Sequence, residues 1–434
     1  MTDLNLTGQW AGIAALVVFG VAYVLVILEE ATGMRKSAPV LVAAGLIWAL
    51  TGVAFAMAGQ AEAAHVRALE VIESYGELFL FLLVAITYVN TLEERRAFEV
   101  LRARLVGRGL SYRQLFLLTG VLTFFLSAVL DNLTTALVMG AVVLALGRDS
   151  PRFVALACIS VVVAANAGGA FSPFGDITTL MVWQQGKLEF AAFFALFVPS
   201  VVNWLVPAAC IYVAVPLGQP VPHHERISAK PGMLGVMVLF ALTIATAVSF
   251  KNFLALPPAL GMMLGLGYLQ IYSFVLSRKG GQQGDEDMVL DSFAQMRRVE
   301  WDTLLFFFGI IFAVGGLGVL GYLALVSQAL YGGLGATAAN VIIGLLSAVV
   351  DNIPLMFAVL KMDPVMSEGQ WLLITLTAGV GGSILSIGSA AGVALMGQAP
   401  EGYTFASHLK WSWAVGLGYG AAIVVHLWIN AALF

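Results

Sequence analysis

Charge is what this sequence has least of. Asp, Glu, Lys and Arg make up 11% of its 434 residues, where a soluble domain carries about a quarter. So few charges cannot cover a water-facing surface of this size, which excludes an ordinary soluble protein. Cysteine is scarcer still. Cys158 and Cys210 fall in apolar stretches without metal or redox spacing, and read as small buried hydrophobes. There is no basic tract suited to nucleic acid. No phosphate-binding loop is present to energise a pump with nucleotide, and no metal-ligand spacing or nucleophile with a paired His marks an enzyme. No cofactor is expected. No Lys or Arg precedes Arg35, so the first apolar run lacks the basic start of a signal peptide and is expected to be a retained helix.

Apolar residues fill the space that charge leaves. The chain is 60% hydrophobic, with a mean hydropathy of +0.94. Uncharged runs near bilayer length recur at 8–28, 39–58, 192–216, 231–250, 258–277, 303–322 and 411–434. The expected solvent is a lipid bilayer, crossed many times.

One polar interruption occurs twice. Residues 126–139 read LSAVLDNLTTALVM and residues 346–359 read LSAVVDNIPLMFAV, 220 positions later. Each sets an Asp-Asn pair, Asp131-Asn132 and Asp351-Asn352, inside an apolar stretch. Ionisable groups at bilayer depth are costly and face protein, water or an ion. GGAFSPFGDITTLMVW at 168–183 likewise matches GGSILSIGSAAGVALMG at 381–397. Such an ordered set predicts a transporter built from a duplicated unit.

The two units are expected over 1–216 and 231–434, joined by a cytoplasmic linker at 217–230. Segments 113–147 and 333–361 are too long for one span and have their polar residues mid-way, so each is read as a re-entrant hairpin. Segments 152–183 and 371–398 are read as broken helices, since non-helical backbone at this depth needs protein or water around it. Five crossings per unit invert the second relative to the first. With both termini external, all but four of the 21 Lys and Arg fall on the cytoplasmic side; the exceptions are Arg67, Lys187, Lys251 and Lys361, the last three read as loop residues. The stretch 93–113 is expected as an amphipathic surface helix, and 278–300 as a flexible cytoplasmic linker.

Candidate cation- or proton-binding residues follow from this frame. At the hairpin tips they are Asp131, Asn132, Thr134 and Thr135 in the first unit, and Asp351 and Asn352 in the second. At the broken helices they are Asn166, Ser172, Asp176 and Thr178, then Ser383, Ser386 and Ser389. Ser389 stands where the first unit has Asp176. Carboxylates, hydroxyls and carbonyls freed around Pro173 and the glycines form a hard-oxygen setting that suits Na+ or Li+, with Na+ placed at Asp131, Asp351 and Asp176. Capping of half-helices by the aspartates and Gly-rich helix packing are the structural alternatives. Glu77 and Asp302, at span entrances, are candidates for an access path or for helix starts. His408 and His426 read as structural. With three aspartates and no cation, the expected cavity favours a cation over an anion. Desolvation disfavours a carboxylate's charged form, so a proton and a metal ion can compete for the same oxygens, which is sufficient for antiport.

At these motifs the chain resembles the NhaD-type sodium/proton antiporters of the ion transporter superfamily, over nearly its whole length. The resemblance rests on LDNLTTALVM, GGAFSPFGDITTLMVW, VVDNIPLMFAVL and GGSILSIGSAAGVALMG. It implies a scaffold domain, a mobile transport domain with elevator-like movement, a homodimer, and exchange of Na+ or Li+ for H+ across a bacterial inner membrane. The superfamily also contains arsenite and dicarboxylate carriers, the alternative reading. Its dicarboxylate branch has Ser-Asn-Thr at the hairpin tips, where this chain has Asp-Asn-Leu-Thr and Asp-Asn-Ile-Pro.

Overall fold

A computed structural model describes residues 5–106, 109–220 and 227–434. Arg108, Arg226 and the centre of the expected linker 217–230 lie outside the described residues. Among the described residues the chain is all helical, with no strand.

The first half runs α1 (Trp10–Ile27), a single turn α2 (Glu29–Thr32), α3 (Ser37–Met57), α4 (Ala61–Glu94) and α5 (Ala97–Val106). Next come α6 (Tyr112–Ser127) and α7 (Asn132–Leu146), then α8 (Pro151–Ala170), α9 (Ile177–Gln184) and α10 (Phe197–Tyr212). The second half runs α11 (Met233–Leu254), α12 (Pro258–Gln283), α13 (Ser292–Arg297), α14 (Trp301–Val319) and α15 (Tyr322–Ser327). It continues with α16 (Ala336–Leu346), α17 (Asn352–Met362), α18 (Glu368–Gly381), α19 (Ala390–Gln398), α20 (Phe405–Leu409) and α21 (Ser412–Ile429).

Local chemistry sets many of these boundaries. Ser111 and Gln114 form a capping box at α6. Ser150 caps α8 ahead of Pro151 at its first position. Asp131 and Asp351 cap α7 and α17.

Among the described residues, eight helices are long and apolar enough to cross a membrane, or nine if the pair Tyr322–Gly332 and Ala336–Leu346, bent by 119°, counts as one. Their exposed faces are apolar as well: the spanning windows of α1 and α11 are only 22% buried. Water would not stabilise such surfaces, but lipid does. The matching window of α8 is 94% buried, so α8 is a core helix.

The helices sort into two packed groups. α1, α3, α4, α11, α12 and α14 form one; α6 to α10, α16 to α19 and α21 form the other, and α14 against α17 is the main contact between them. Within the groups, α1 packs on α3 as α11 does on α12. α6 packs on α8 as α16 does on α18, and α7 packs on α19 as α17 does on α9.

Four expectations need correction. Glu77 does not start a helix; α4 starts at Ala61, and Glu77 lies half-buried in its middle. Lys251 and Lys361 are in the last turns of α11 and α17, not in loops. The basic surface helix is shorter than expected, because α4 runs on to Glu94 and Arg96 turns the chain with a φ of 61°.

The stretch 278–300 is ordered: α12 continues to Gln283, Gly284 stops it at a φ of 66°, and Asp291 caps α13. The cause is Arg95, fully buried at the end of α4. Its guanidinium donates to the carbonyls of Asp287 (2.7 Å), Val289 (2.5 Å) and Pro231 (3.1 Å) and pairs with Glu94. One side chain thus ties the segment before α11 and the segment before α13 to the end of α4.

Candidate functional site

The two helix pairs α6–α7 and α16–α17 and the two interrupted helices α8–α9 and α18–α19 meet at their polar points. Glycine permits the approach. A Cβ on Gly168 would strike the Phe124 carbonyl of α6, and one on Gly381 would strike the Gly344 carbonyl of α16. Gly175 and Gly388 press in the same way on the carbonyls of Ser127 and Ser347. Those two serines brace the interrupted helices: Ser127 Oγ donates to the Ala165 carbonyl at 2.6 Å, and Ser347 Oγ to the Ala378 carbonyl at 2.9 Å. Both belong to the repeated LSAV motif, which is the signal by which they could have been found.

Asp176 is the centre of the assembly. It caps α9, and Oδ1 accepts from the Thr178 amide and hydroxyl, both at 2.8 Å. Asn132, at the tip of the first pair, donates from Nδ2 to Asp176 Oδ2 at 2.6 Å and to Asn166 Oδ1 at 2.9 Å. Asn352, at the tip of the second pair, donates to the same carboxylate at 3.2 and 3.4 Å. Asn166 Nδ2 donates onward to Ser383 Oγ at 2.7 Å and Ser389 Oγ at 3.0 Å. All of these side chains are buried. A carboxylate this enclosed is stabilised only by such charge-assisted donors.

Seven of the sequence-identified residues are therefore joined in one network: Asn132, Asn166, Asp176, Thr178, Asn352, Ser383 and Ser389. Others stand apart. Asp131 accepts from the Thr134 amide at 2.9 Å and its hydroxyl at 2.6 Å, a local cap. Asp351 accepts from the Ile353 amide at 3.0 Å. It lies near enough to Asp176 and to Lys36 for their charges to interact. The Thr135 hydroxyl reaches the Leu130 carbonyl at 3.5 Å, the Ser172 carbonyl accepts from Thr179 at 2.8 Å, and Ser386 contacts Met396. The charges that Glu77 meets are those of Glu73 and Lys251. Asp302 is in the first turn of α14 and accepts from Ser37.

A cavity of about 310 Å³ reaches Asp131, Thr134, Asp176 and Asn352 from the end of the molecule that carries Glu93, Arg298 and Glu300. Arg298 corrects the expectation of a cavity without a cation. It sits at the rim and is paired with Glu93 at 3.0 Å, so its charge is spent locally. Among the described residues no three His, Cys, Asp or Glu side chains converge as a metal cluster. A cation here would be held by the Asp176 carboxylate together with neutral oxygens such as Asn166 Oδ1, a donor set that fits a weakly bound alkali ion.

The profile of a family described as "Citrate transporter" matches residues 23–379. The chain is 53% identical to the "Na(+)/H(+) antiporter NhaD" of Alkalimonas amylolytica, over 99% of this chain and 93% of that protein. It is 52% identical to the protein of the same name from Halomonas elongata, over 100% and 91%. The "Sodium/proton antiporter 1" of Arabidopsis thaliana is 32% identical over 96% of this chain and 72% of its own length.

Proposed function

The chain belongs to the NhaD-type sodium/proton antiporters, within the family described as citrate transporters, and we propose that it exchanges Na+ or Li+ for H+. The observation that carries this reading is the convergence of Asn132 and Asn352, from two helix-pair tips, on Asp176. A single enclosed carboxylate can be neutral with a proton or paired with a metal ion, and an empty charged site is costly to carry through lipid. Loading with one ion or the other therefore precedes movement. Cation moves out and proton moves in, driven by the proton gradient across a bacterial inner membrane.

Asp176 is the seat, with Asn166 Oδ1 and the hydroxyls of Ser383 and Ser389 beside it. Asp131 and Asp351 hold the half-helices and supply negative charge along the approach. The matched packing of the two halves supports an inverted repeat, with α6–α7 and α16–α17 as opposed re-entrant hairpins and ten crossings in all. On this reading the group containing α1, α3, α4, α11, α12 and α14 is the scaffold of a homodimer, and the other group slides against it. The bias of Lys and Arg towards the loops read as cytoplasmic, with Arg298 at the cavity mouth, supports a cytoplasmic mouth, external termini and an inward-open conformation.

The family's description favours a second reading, carriage of citrate or another organic anion. Asp176 opposes it, since a carboxylate-bearing substrate would meet a buried carboxylate with the rim arginine already paired. Everted membrane vesicles with a pH-sensitive dye decide between the two. Na+ or Li+ is expected to dissipate the proton gradient, K+ is not, and Asp176→Asn abolishes the response. A wild-type signal indifferent to Na+ and Li+, with uptake of labelled citrate, overturns the antiport reading.

A further inference from the structure

We propose that His408 is a positioning residue for the cation site: it holds the Ser383 carbonyl at the break between α18 and α19 and thereby fixes which end of the Asn166 amide faces Asp176. This rests on the antiport reading of that site.

His408 lies on α20 and is fully buried. Its Nε2 is 2.8 Å from the Ser383 carbonyl and its Nδ1 is 2.8 Å from the Tyr403 hydroxyl. A carbonyl only accepts, so Nε2 carries the proton and the Tyr403 hydroxyl donates to Nδ1. Tyr403, also fully buried, thus selects the tautomer.

The second break needs such a brace. Ser386 sits inside it at a φ of 67°, a left-handed conformation that a residue with a side chain adopts only when its surroundings hold it there. The first break, between α8 and α9, has no positive φ and supports itself. There the Thr179 hydroxyl bonds the carbonyls of Ser172 (2.8 Å) and Asp176 (2.6 Å). In the aligned motifs the position matching Thr179 is Gly392, where a Cβ would collide with the Ser386 carbonyl. The second half therefore has no room for its own threonine, and His408 supplies a hydrogen bond from outside, to the Ser383 carbonyl two positions before the one that would match Ser172.

What the brace controls is the direction of an amide. Both Asn166 donor contacts go to the Ser383 and Ser389 hydroxyls, which turns Oδ1 towards Asn132 and the Asp176 side. If Ser383 shifts, the amide keeps only its Ser389 and Asn132 contacts and is held less firmly with its oxygen towards Asp176.

The test is Na+-dependent exchange in everted vesicles, read as the half-saturating Na+ concentration and the maximal rate separately. His408→Leu is expected to raise half-saturation about tenfold, with the maximal rate within about twofold of wild type. His408→Gln, which keeps an N–H near the Nε2 position, restores it to within about threefold. Tyr403→Phe, which only loosens the tautomer, raises it by a smaller factor than His408→Leu. Unchanged half-saturation in His408→Leu overturns the proposal. So does an equal loss of maximal rate in the Leu and Gln variants with half-saturation unmoved. If His408→Leu fails to reach the membrane, the other two decide, and wild-type half-saturation in Tyr403→Phe then overturns it. Absence of Na+ exchange in the wild type would instead sink the antiport reading, so the two failures are distinguishable.

Discussion

The Asn132 amide nitrogen lies 2.6 Å from Asp176 Oδ2 and 2.9 Å from Asn166 Oδ1. A donor group thus occupies the place between two oxygens where a small cation would be shared. On the proposed reading, loading the site means turning this amide away or over.

Asn132→Ala removes one of the donors that stabilise the ionised carboxylate, and hydrogen bonds to charged groups contribute about 1.5–3 kcal/mol. An ionised Asp176 with fewer donors yields more readily to a proton. Exchange at neutral pH is expected to fall at least about tenfold and to recover as the pH is raised. The measurement is the pH profile of Na+-dependent dye response, and a profile that is lower without moving would contradict this account.

The hairpin-tip aspartates allow charge and capping to be separated. Asparagine caps a helix nearly as well as aspartate, whereas alanine costs about 1 kcal/mol. Asp131→Asn and Asp351→Asn are expected to keep the wild-type melting temperature in detergent yet lose most Na+ exchange. Asp131→Ala should lower both. Full activity in both Asn variants would leave these residues with capping alone.

Two glycines on α18, two positions apart, should respond in opposite ways to one methyl group. At Gly381 a Cβ meets the Gly344 backbone, and at Gly379 it meets only the Ala170 side chain at 3.6 Å. Gly381→Ala is expected to destabilise by about 1–3 kcal/mol through overpacking. Gly379→Ala is neutral or slightly stabilising, because alanine favours a helix. Thermal unfolding in detergent, followed by intrinsic fluorescence, compares them.

Arg95→Met leaves the carbonyls of Pro231, Asp287 and Val289 without their donor. Removing one member of a buried charged network costs about 3–5 kcal/mol. The expected result is a lower melting temperature and faster proteolysis at 285–291 in detergent. Arg95→Lys should rescue little, since an ammonium cannot reproduce the guanidinium's spread of donors. Wild-type resistance to protease in both variants would show that the loop orders itself.

Much of the architecture was legible because lipid simplifies the code. Apolar runs of bilayer length had to be helices, and Gly168, Gly175, Gly381 and Gly388 recur where backbones touch. The polar motifs pointed to both members of each Asp-Asn pair, but not to their division of labour, in which the asparagines reach Asp176 and the aspartates cap their own helices. At a helix start the capping residue turns back to its own first turn, while its neighbour projects into whatever packs alongside. Adjacent residues with opposite roles are indistinguishable by spacing. The order of 278–300 was equally hidden, because its cause, Arg95, is nearly two hundred positions away.

By itself, the amino-acid sequence determined that this chain is apolar enough for a bilayer, that two polar motifs recur in its second half, and which glycines and polar residues they share. Composition and periodicity are local properties, and lipid tests them residue by residue. The tertiary structure alone decided that Asp176 receives both asparagines, that Asp131 and Asp351 cap helices, and that His408 meets the Ser383 carbonyl. Those roles depend on which side chains face one another across helices distant in sequence, and only packing sets that.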